Sequence, residues 1–304
     1  MNKKFFITGG SGLLALNWAI AIRDKVDVIL NMNNRNITLK GSKIKKIDLN
    51  SIDPIFNFLK SEKPDYVLHT AGMTNVDDCE KNPNLAYETN VGLTENVARA
   101  CKNLEIPLIH ISTDHLFDGT SSLVDEQKNT SPLNVYGKTK AKAEEKVLSI
   151  NPHSLIIRTN FYGWGTNYRI SLSDYIFNAL KKNQPIRLFK DIFFTPILIE
   201  VLANMTMELS EKGAHGIFHI TGDDRVSKYD FGVLLAKEFG FNPALIKEGF
   251  LDEQKDLVSR PKDMSLSNFK ISQFLGKKIG SLSLHLDLLH KQKNAGYAKE
   301  VNTL

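Results

Sequence analysis

The sequence predicts an α/β protein built on a doubly wound parallel sheet, with a smaller mixed lobe drawn mainly from the C-terminal half. Three observations carry this. Short β-branched or apolar runs alternate with longer stretches of helical periodicity through the first 160 residues. A glycine-rich stretch joins the first such run directly to the first helical stretch. After about residue 160 the alternation weakens, and the turn-rich Gly163-Trp164-Gly165-Thr166-Asn167 marks a change of organisation.

Six strands are predicted, at Lys4–Thr8, Val26–Asn31, Lys43–Ile47, Tyr66–Thr70, Leu108–Thr113 and Ser154–Thr159. Between the third and fourth, Ile52, Ile55, Phe56 and Leu59 follow the i, i+3, i+4, i+7 spacing of a helix, with Ser51 as its N-cap. Pro83–Leu104 and Leu133–Ile150 read as two more helices, each leading into a strand. Residues 1–160 are therefore assigned to a dinucleotide-binding domain of Rossmann type, and 161–304 mainly to a second lobe. A return to the main sheet is expected over about 192–222, with Ser227–Phe239 and the tail from Leu245 in the smaller lobe.

With 304 residues and 42% hydrophobic content, the chain can bury a sizeable core. The net charge of +5 is spread over many lysines without a dense stripe, and no helix-turn-helix pattern appears, so no nucleic-acid partner is expected. No run of about 18 apolar residues is available to span a membrane. Cys79 and Cys101, the only cysteines, form no Cys-x-x-Cys pair and point to a reducing cytoplasm. His215 and His219 alternate along one strand without Cys or acidic partners, so they read as structural and no metal is expected.

Thr8-Gly9-Gly10-Ser11-Gly12-Leu13-Leu14-Ala15 has the context of a pyrophosphate-binding loop: a strand before it, a helix after it. Gly9 suits a tight turn, Gly12 allows backbone N–H groups to approach an anion, and Ala15 lets helix and strand pack closely. The second strand ends in Asn31-Met32-Asn33-Asn34-Arg35, with no carboxylate for the ribose hydroxyls. Arg35 can meet a 2′-phosphate, or it can be a solvated loop charge.

With 31 lysines and eight tyrosines, about one chance Tyr-x-x-x-Lys is expected, and there is one, Tyr136 with Lys140. Its place is what gives it meaning. On a helix following the fifth strand, positions i and i+4 share a face, so phenol and ammonium project into one cleft, where the cation can support a proton-transferring phenol. The preceding strand ends at Thr113, a hydroxyl at the carboxyl edge of the sheet that can help polarise a carbonyl.

Taken together, Thr8-Gly-Gly-Ser-Gly-Leu-Leu, His69-Thr-Ala-Gly-Met-Thr-Asn-Val-Asp, Ile111-Ser-Thr-Asp-His-Leu-Phe-Asp-Gly, Pro132-Leu-Asn-Val-Tyr-Gly-Lys-Thr-Lys and Arg158-Thr resemble the dTDP-4-dehydrorhamnose reductase family of extended short-chain dehydrogenases/reductases. Arg260-Pro261 resembles that family's late Arg-Pro segment. The resemblance implies Thr113, Tyr136 and Lys140 as the catalytic set. To an NADPH or NADH cofactor it assigns Gly9, Ser11, Gly12, Leu13, Leu14, Asp48, Leu49, Thr70, Ala71 and Gly72, with Tyr136 and Lys140. Asn90 matches an Asn common in extended members and reads equally as a helix-bending residue. His115, where the family has Tyr, Phe161, near a frequent Trp, and Arg260 are placed at the substrate.

The implied activity is NAD(P)H-dependent reduction of a nucleotide-activated 4-keto-6-deoxysugar in the cytoplasm, with NADPH favoured slightly and a homodimer left open. Two other readings stand beside it. One is a sugar-nucleotide epimerase or dehydratase on the same scaffold, for which His115 is the one visible extra acid or base. The other is a nucleotide-binding regulatory subunit resembling the methionine adenosyltransferase β subunit.

Overall fold

The computed structural model describes residues 2–254 and 257–304. Strand β1 (Lys4–Ile7) leads through the glycine loop into α1 (Leu13–Ile22), and β2 (Asp27–Asn31), β3 (Ser42–Lys45), α2 (Ile52–Glu62) and β4 (Tyr66–His69) follow. Next come α3 (Val76–Lys81), α4 (Pro83–Tyr87), a π-helical segment Glu88–Gly92, α5 (Leu93–Asn103), β5 (Leu108–Ile111), α6 (Val135–Ile150) and β6 (Leu155–Arg158). The six predicted strands are present; β2 ends at Asn31 as predicted and the other five stop one or two residues early. Thr8, Thr70 and Thr113 leave the ladder at the carboxyl edge, where Thr70 turns its hydroxyl to the Thr8 carbonyl at 2.6 Å. Ser51 occupies the N-cap of α2 in an extended conformation but makes no side-chain capping bond.

The main sheet is parallel, with seven strands in the order β11-β6-β5-β4-β1-β2-β3, where β11 is Gly216–His219. Chain direction across the sheet reverses between β1 and β4, creating the crevice at which open α/β sheets take ligands. The central strands β5 and β6 are buried at every position, as a sheet covered on both faces requires. At the edge, β3 alternates exposed and half-buried residues and carries Lys43 and Lys45, which discourage pairing with another strand. On one face α1 is buried at nine of its ten positions, Trp18 completely, and packs against α8 (Ile199–Glu211). On the other, Leu59 of α2 and Val97, Ala98 and Cys101 of α5 close over Phe6 and Val67.

Beyond β6 the chain forms short ladders away from the main sheet. β7 (Phe161–Tyr162) pairs with β10 (Ile197–Leu198), β8 (Ile186–Phe189) with β13 (Ile246–Gly249), and β9 (Phe193–Phe194) with β12 (Val226–Ser227). Helices α7 (Leu172–Lys181) and α9 (Lys228–Glu238) pack on one another, and α10 (Phe269–Leu275), α11 (Leu282–Asn294) and α12 (Tyr297–Asn302) complete the chain. Within 192–222, α8 and β11 rejoin the main sheet while β9 and β10 pair outside it. Both cysteines are buried and unbonded. Among the described residues no helix is long and apolar enough to cross a membrane.

Candidate active site

A cavity of about 840 Å³ opens at the reversal point, over the carboxyl ends of β1, β4 and β5. Its floor begins at the glycine loop. Gly9 adopts φ +68°, and a β-carbon there would sit 2.9 Å from the Ala71 backbone, so only glycine fits the turn. The next helix starts at Gly12 with no capping side chain and no acid in its first turn. By contrast α6, α7, α9 and α11 each have an Asn or Ser cap. The N–H groups and positive end of α1 are thus free to face an anion in the cavity. Ser11, Leu13 and Leu14 line the same floor.

Most of the residues expected at a cofactor meet here. Gly9, Ser11, Gly12, Leu13, Leu14, Asp48, Leu49, Thr70, Ala71, Gly72, Tyr136 and Lys140 all line the cavity, as does Phe161, which was expected at the substrate. Asp48 accepts from the Asn50 backbone and amide, which hold its carboxyl below the usual range, so it remains an acceptor at neutral pH. One space thus holds an uncapped helix N-terminus suited to an anion, the Asp48 acceptor and the Tyr136–Lys140 pair, a donor set that fits a dinucleotide.

Arg35 is exposed and lies outside the lining. Its guanidinium stacks on the Tyr168 ring at 3.7 Å, and the Tyr168 hydroxyl donates to the Ser11 carbonyl at 2.9 Å, so Arg35 is tied to the phosphate loop through another side chain. Asn31, where an acid was expected, spends its amide on both backbone groups of Ile47, at 2.7 and 3.2 Å.

On α6, Tyr136 and Lys140 lie on one buried face and both line the cavity. Burial pushes the phenol up to about 12, against a downward pull from the Thr113 hydroxyl. Burial pushes the Lys140 amine down to about 8, against the pull of Glu144. The spacing suggested that the ammonium supports the phenol. Instead Lys140 donates to the Ile111 carbonyl at 2.7 Å and faces His110 Nε2 at 3.3 Å, two acceptors on the neighbouring strand. Tyr136 at neutral pH is accordingly a protonated donor.

Thr113 is buried outside the lining, its hydroxyl donating to Asp114 at 3.2 Å and accepting from His115 N at 3.3 Å. The other Asp114 oxygen takes the Asn160 amide. His115 is set edge-on to the Tyr136 ring, centroids 5.6 Å apart. Burial holds its imidazole below the ordinary value, against the pull of Asp114. Arg260 bonds Asp77 at 2.6 Å. His115 and Arg260 both lie outside the cavity lining, His115 against Tyr136 and Arg260 close enough to His115 to lower its imidazole further.

Ser112, Arg169 and Ile170 were missed in the sequence, whereas Asn90 was singled out there as a match to extended members or a helix-bending residue. Ser112 lines the cavity with a buried hydroxyl that has no partner; its position beside Thr113 on the strand edge was the available signal. Arg169, bonded to Thr74 at 2.5 Å, and Ile170 wall the cavity from a loop without regular pattern. Asn90 lies in the π-helical segment, where its amide accepts from Met73 N at 2.7 Å and donates to Met73 O at 3.0 Å and Thr139 Oγ1 at 2.9 Å. It clamps the loop after β4 to the turn of α6 between Tyr136 and Lys140, and the extra residue of the π segment is what places it there.

Comparison with known proteins gives the family of the chain. The model of the family described as the RmlD substrate binding domain matches residues 3–293. The chain belongs to that family. Among its relatives is the "probable low-salt glycan biosynthesis reductase" of Haloferax volcanii, 28% identical over 89% of this chain and 92% of that protein. The dTDP-4-dehydrorhamnose reductase of Aggregatibacter actinomycetemcomitans is 28% identical over 90% and 93%. A crystal structure of a hypothetical dTDP-4-dehydrorhamnose reductase from Sulfolobus tokodaii superposes with a TM-score of 0.81 at 29% identity, covering 93% of this chain and 98% of that one. The rat methionine adenosyltransferase 2 subunit beta is 27% identical over 75% and 70%, so likeness to this family alone does not separate enzyme from subunit.

Proposed function

We propose that the protein is an NAD(P)H-dependent reductase of a nucleotide-activated 4-keto-6-deoxysugar. The observation that carries this is the joint presence of a protonated Tyr136 and of Lys140 in the cavity that begins at an uncapped helix N-terminus. The names of the relatives supply the substrate class.

When bound, a reduced nicotinamide supplies the hydride to the ketone carbon. The chain's own residues do the rest. Gly9, Ser11 and Gly12 with the first turn of α1 hold the pyrophosphate, Asp48 and Leu49 border the adenosine end, and Lys140 offers its remaining N–H to the nicotinamide ribose. Tyr136 Oη donates its proton to the ketone oxygen as negative charge develops there. Thr113, coupled to both Tyr136 and Asp114, orients the phenol. Arg35, held by Tyr168, favours NADPH over NADH. His115, Phe161 and Arg260 shape the sugar side.

A pure binding subunit needs no poised proton donor, so the Tyr136–Lys140 pair favours catalysis. Two buried, unbonded cysteines suit a reducing cytoplasm. The test is oxidation of NADPH and NADH by the purified protein with a panel of nucleotide-linked 4-keto-6-deoxysugars. Cofactor binding without turnover of any of them would move the assignment to a regulatory subunit.

A further inference from the structure

Behind Lys140 a polar row crosses the core of the sheet where apolar side chains would otherwise pack. His69 on β4 and His110 on β5 are paired across the parallel ladder, both fully buried, with rings stacked 5.5 Å apart. His69 is satisfied on both sides: Nδ1 lies 2.8 Å from Thr8 Oγ1 and Nε2 lies 3.0 Å from Thr94 Oγ1. Because Thr94 already donates to the Asn90 carbonyl, its oxygen accepts from His69 Nε2–H, and Nδ1 accepts from Thr8. His110 differs. Its Nδ1 is buried without a partner, while Nε2 faces the Lys140 ammonium. An unmet buried donor is a cost that an apolar residue of similar size avoids, so packing alone gives no reason for a histidine here.

We propose that His110 is a positioning residue for Lys140: with the Ile111 carbonyl it fixes the ammonium between two acceptors, leaving one N–H for the cavity. This rests on the reductase reading only in that Lys140 is assigned to the cofactor ribose. The charged and titratable groups around the pair leave Lys140 alone to titrate near neutrality. From β4, His69 is held down to about 3 by burial. On α6, Tyr136 is pushed up to about 12, and the Glu144 carboxylate is taken by Arg158 of β6 at 2.7 Å. His110 itself is pushed well below its ordinary value by burial and by Lys140, so it is a neutral acceptor that favours the charged amine.

The test compares the wild type with His110→Leu and His110→Gln, measuring NADPH affinity by nicotinamide fluorescence from pH 6 to pH 10. The wild type loses affinity above about pH 8, where Lys140 gives up its proton. Removing the acceptor should move that limb down by about one unit, so affinity falls about fivefold at pH 8 and less than about 1.2-fold at pH 6. His110→Gln, which keeps an acceptor, should return the limb near the wild-type position. A folded Leu variant weakened by one factor at every pH would overturn the proposal. So would an unshifted limb. Should the Leu variant fail to fold, NMR titration of ¹³C-lysine in the cofactor-free wild type and a folded His110→Phe variant decides, with Lys140→Met giving the assignment: a Lys140 titration unmoved by loss of the acceptor overturns the proposal. If no keto sugar is reduced and the binding limb still moves, the reductase reading falls and this one stands. Turnover with an unmoved limb does the reverse.

Discussion

Replacing Tyr136 by Phe removes one oxygen from a ring that is 8% exposed and leaves its edge contact with His115 in place. With the phenol pushed up to about 12, roughly 10⁵ molecules carry the proton at pH 7 for each that has lost it, so donation never depends on titration of this group. A positioned general acid contributes about 10²–10⁴-fold, or about 3–5 kcal/mol of barrier. The Tyr136→Phe variant should therefore lose turnover within that range, by the same factor at every pH from about 6 to 9, the interval over which the phenol stays protonated. Its stability should stay within about 1 kcal/mol of wild type, because the change removes a single hydroxyl and a net hydrogen bond is worth about that much. Cofactor affinity, read by nicotinamide fluorescence, should be nearly unchanged. Steady-state oxidation of NADPH with the nucleotide sugar measures the effect. Turnover within about fivefold of wild type in a folded variant would refute Tyr136 as the proton donor.

Lys140→Met should impair both turnover and cofactor affinity, and wild-type kcat/KM should fall about fivefold between pH 8 and pH 9 as the ammonium deprotonates; a flat profile would remove Lys140 from the cofactor site. The folded amine titrates below the ordinary lysine value of 10.5, so the unfolded chain holds more protons between about 8 and that value, and wild-type stability relative to Lys140→Met should rise with pH across this window in denaturant melts. Arg158 and Glu144 form a bonded pair with both side chains only 4% exposed, so Glu144→Gln or Arg158→Met should cost about 3–5 kcal/mol of unfolding free energy, and a loss under about 1 kcal/mol would contradict that reading. Arg35→Ala should raise the KM for NADPH more than that for NADH, and Tyr168→Leu should reproduce part of that bias by releasing the guanidinium; equal changes for both cofactors would exclude Arg35 from the 2′-phosphate.

The main sheet was legible because its strands are short apolar runs and its helices have clear spacing, and Gly9 was legible because a turn at φ +68° admits little else. The placing of Tyr136 and Lys140 on one cavity-lining face of α6 was legible from i, i+4 spacing on a helix that follows a strand. What Lys140 bonds was not: the Ile111 carbonyl and His110 approach it across the sheet, and no local pattern encodes that meeting. The same holds for the π segment, which depends on Asn90 reaching Met73 and Thr139 at once. Arg169 and Tyr168 sit in a loop whose sequence carries turn signals and no periodicity, so their places beside Thr74 and Ser11 emerge only in three dimensions.

The central claim is tested most directly by incubating the protein with NADPH deuterated at the transferring position of the nicotinamide, together with a dTDP-linked 4-keto-6-deoxysugar or the corresponding free sugar, and locating the label by NMR. The account predicts deuterium on the former keto carbon of the nucleotide-linked product, stoichiometric oxidation of the cofactor, and little turnover of the free sugar, because binding energy from the nucleotide diphosphate orients the ketone. Equal turnover of the free sugar, or no transfer to any nucleotide-linked ketone despite tight NADPH binding, would contradict it.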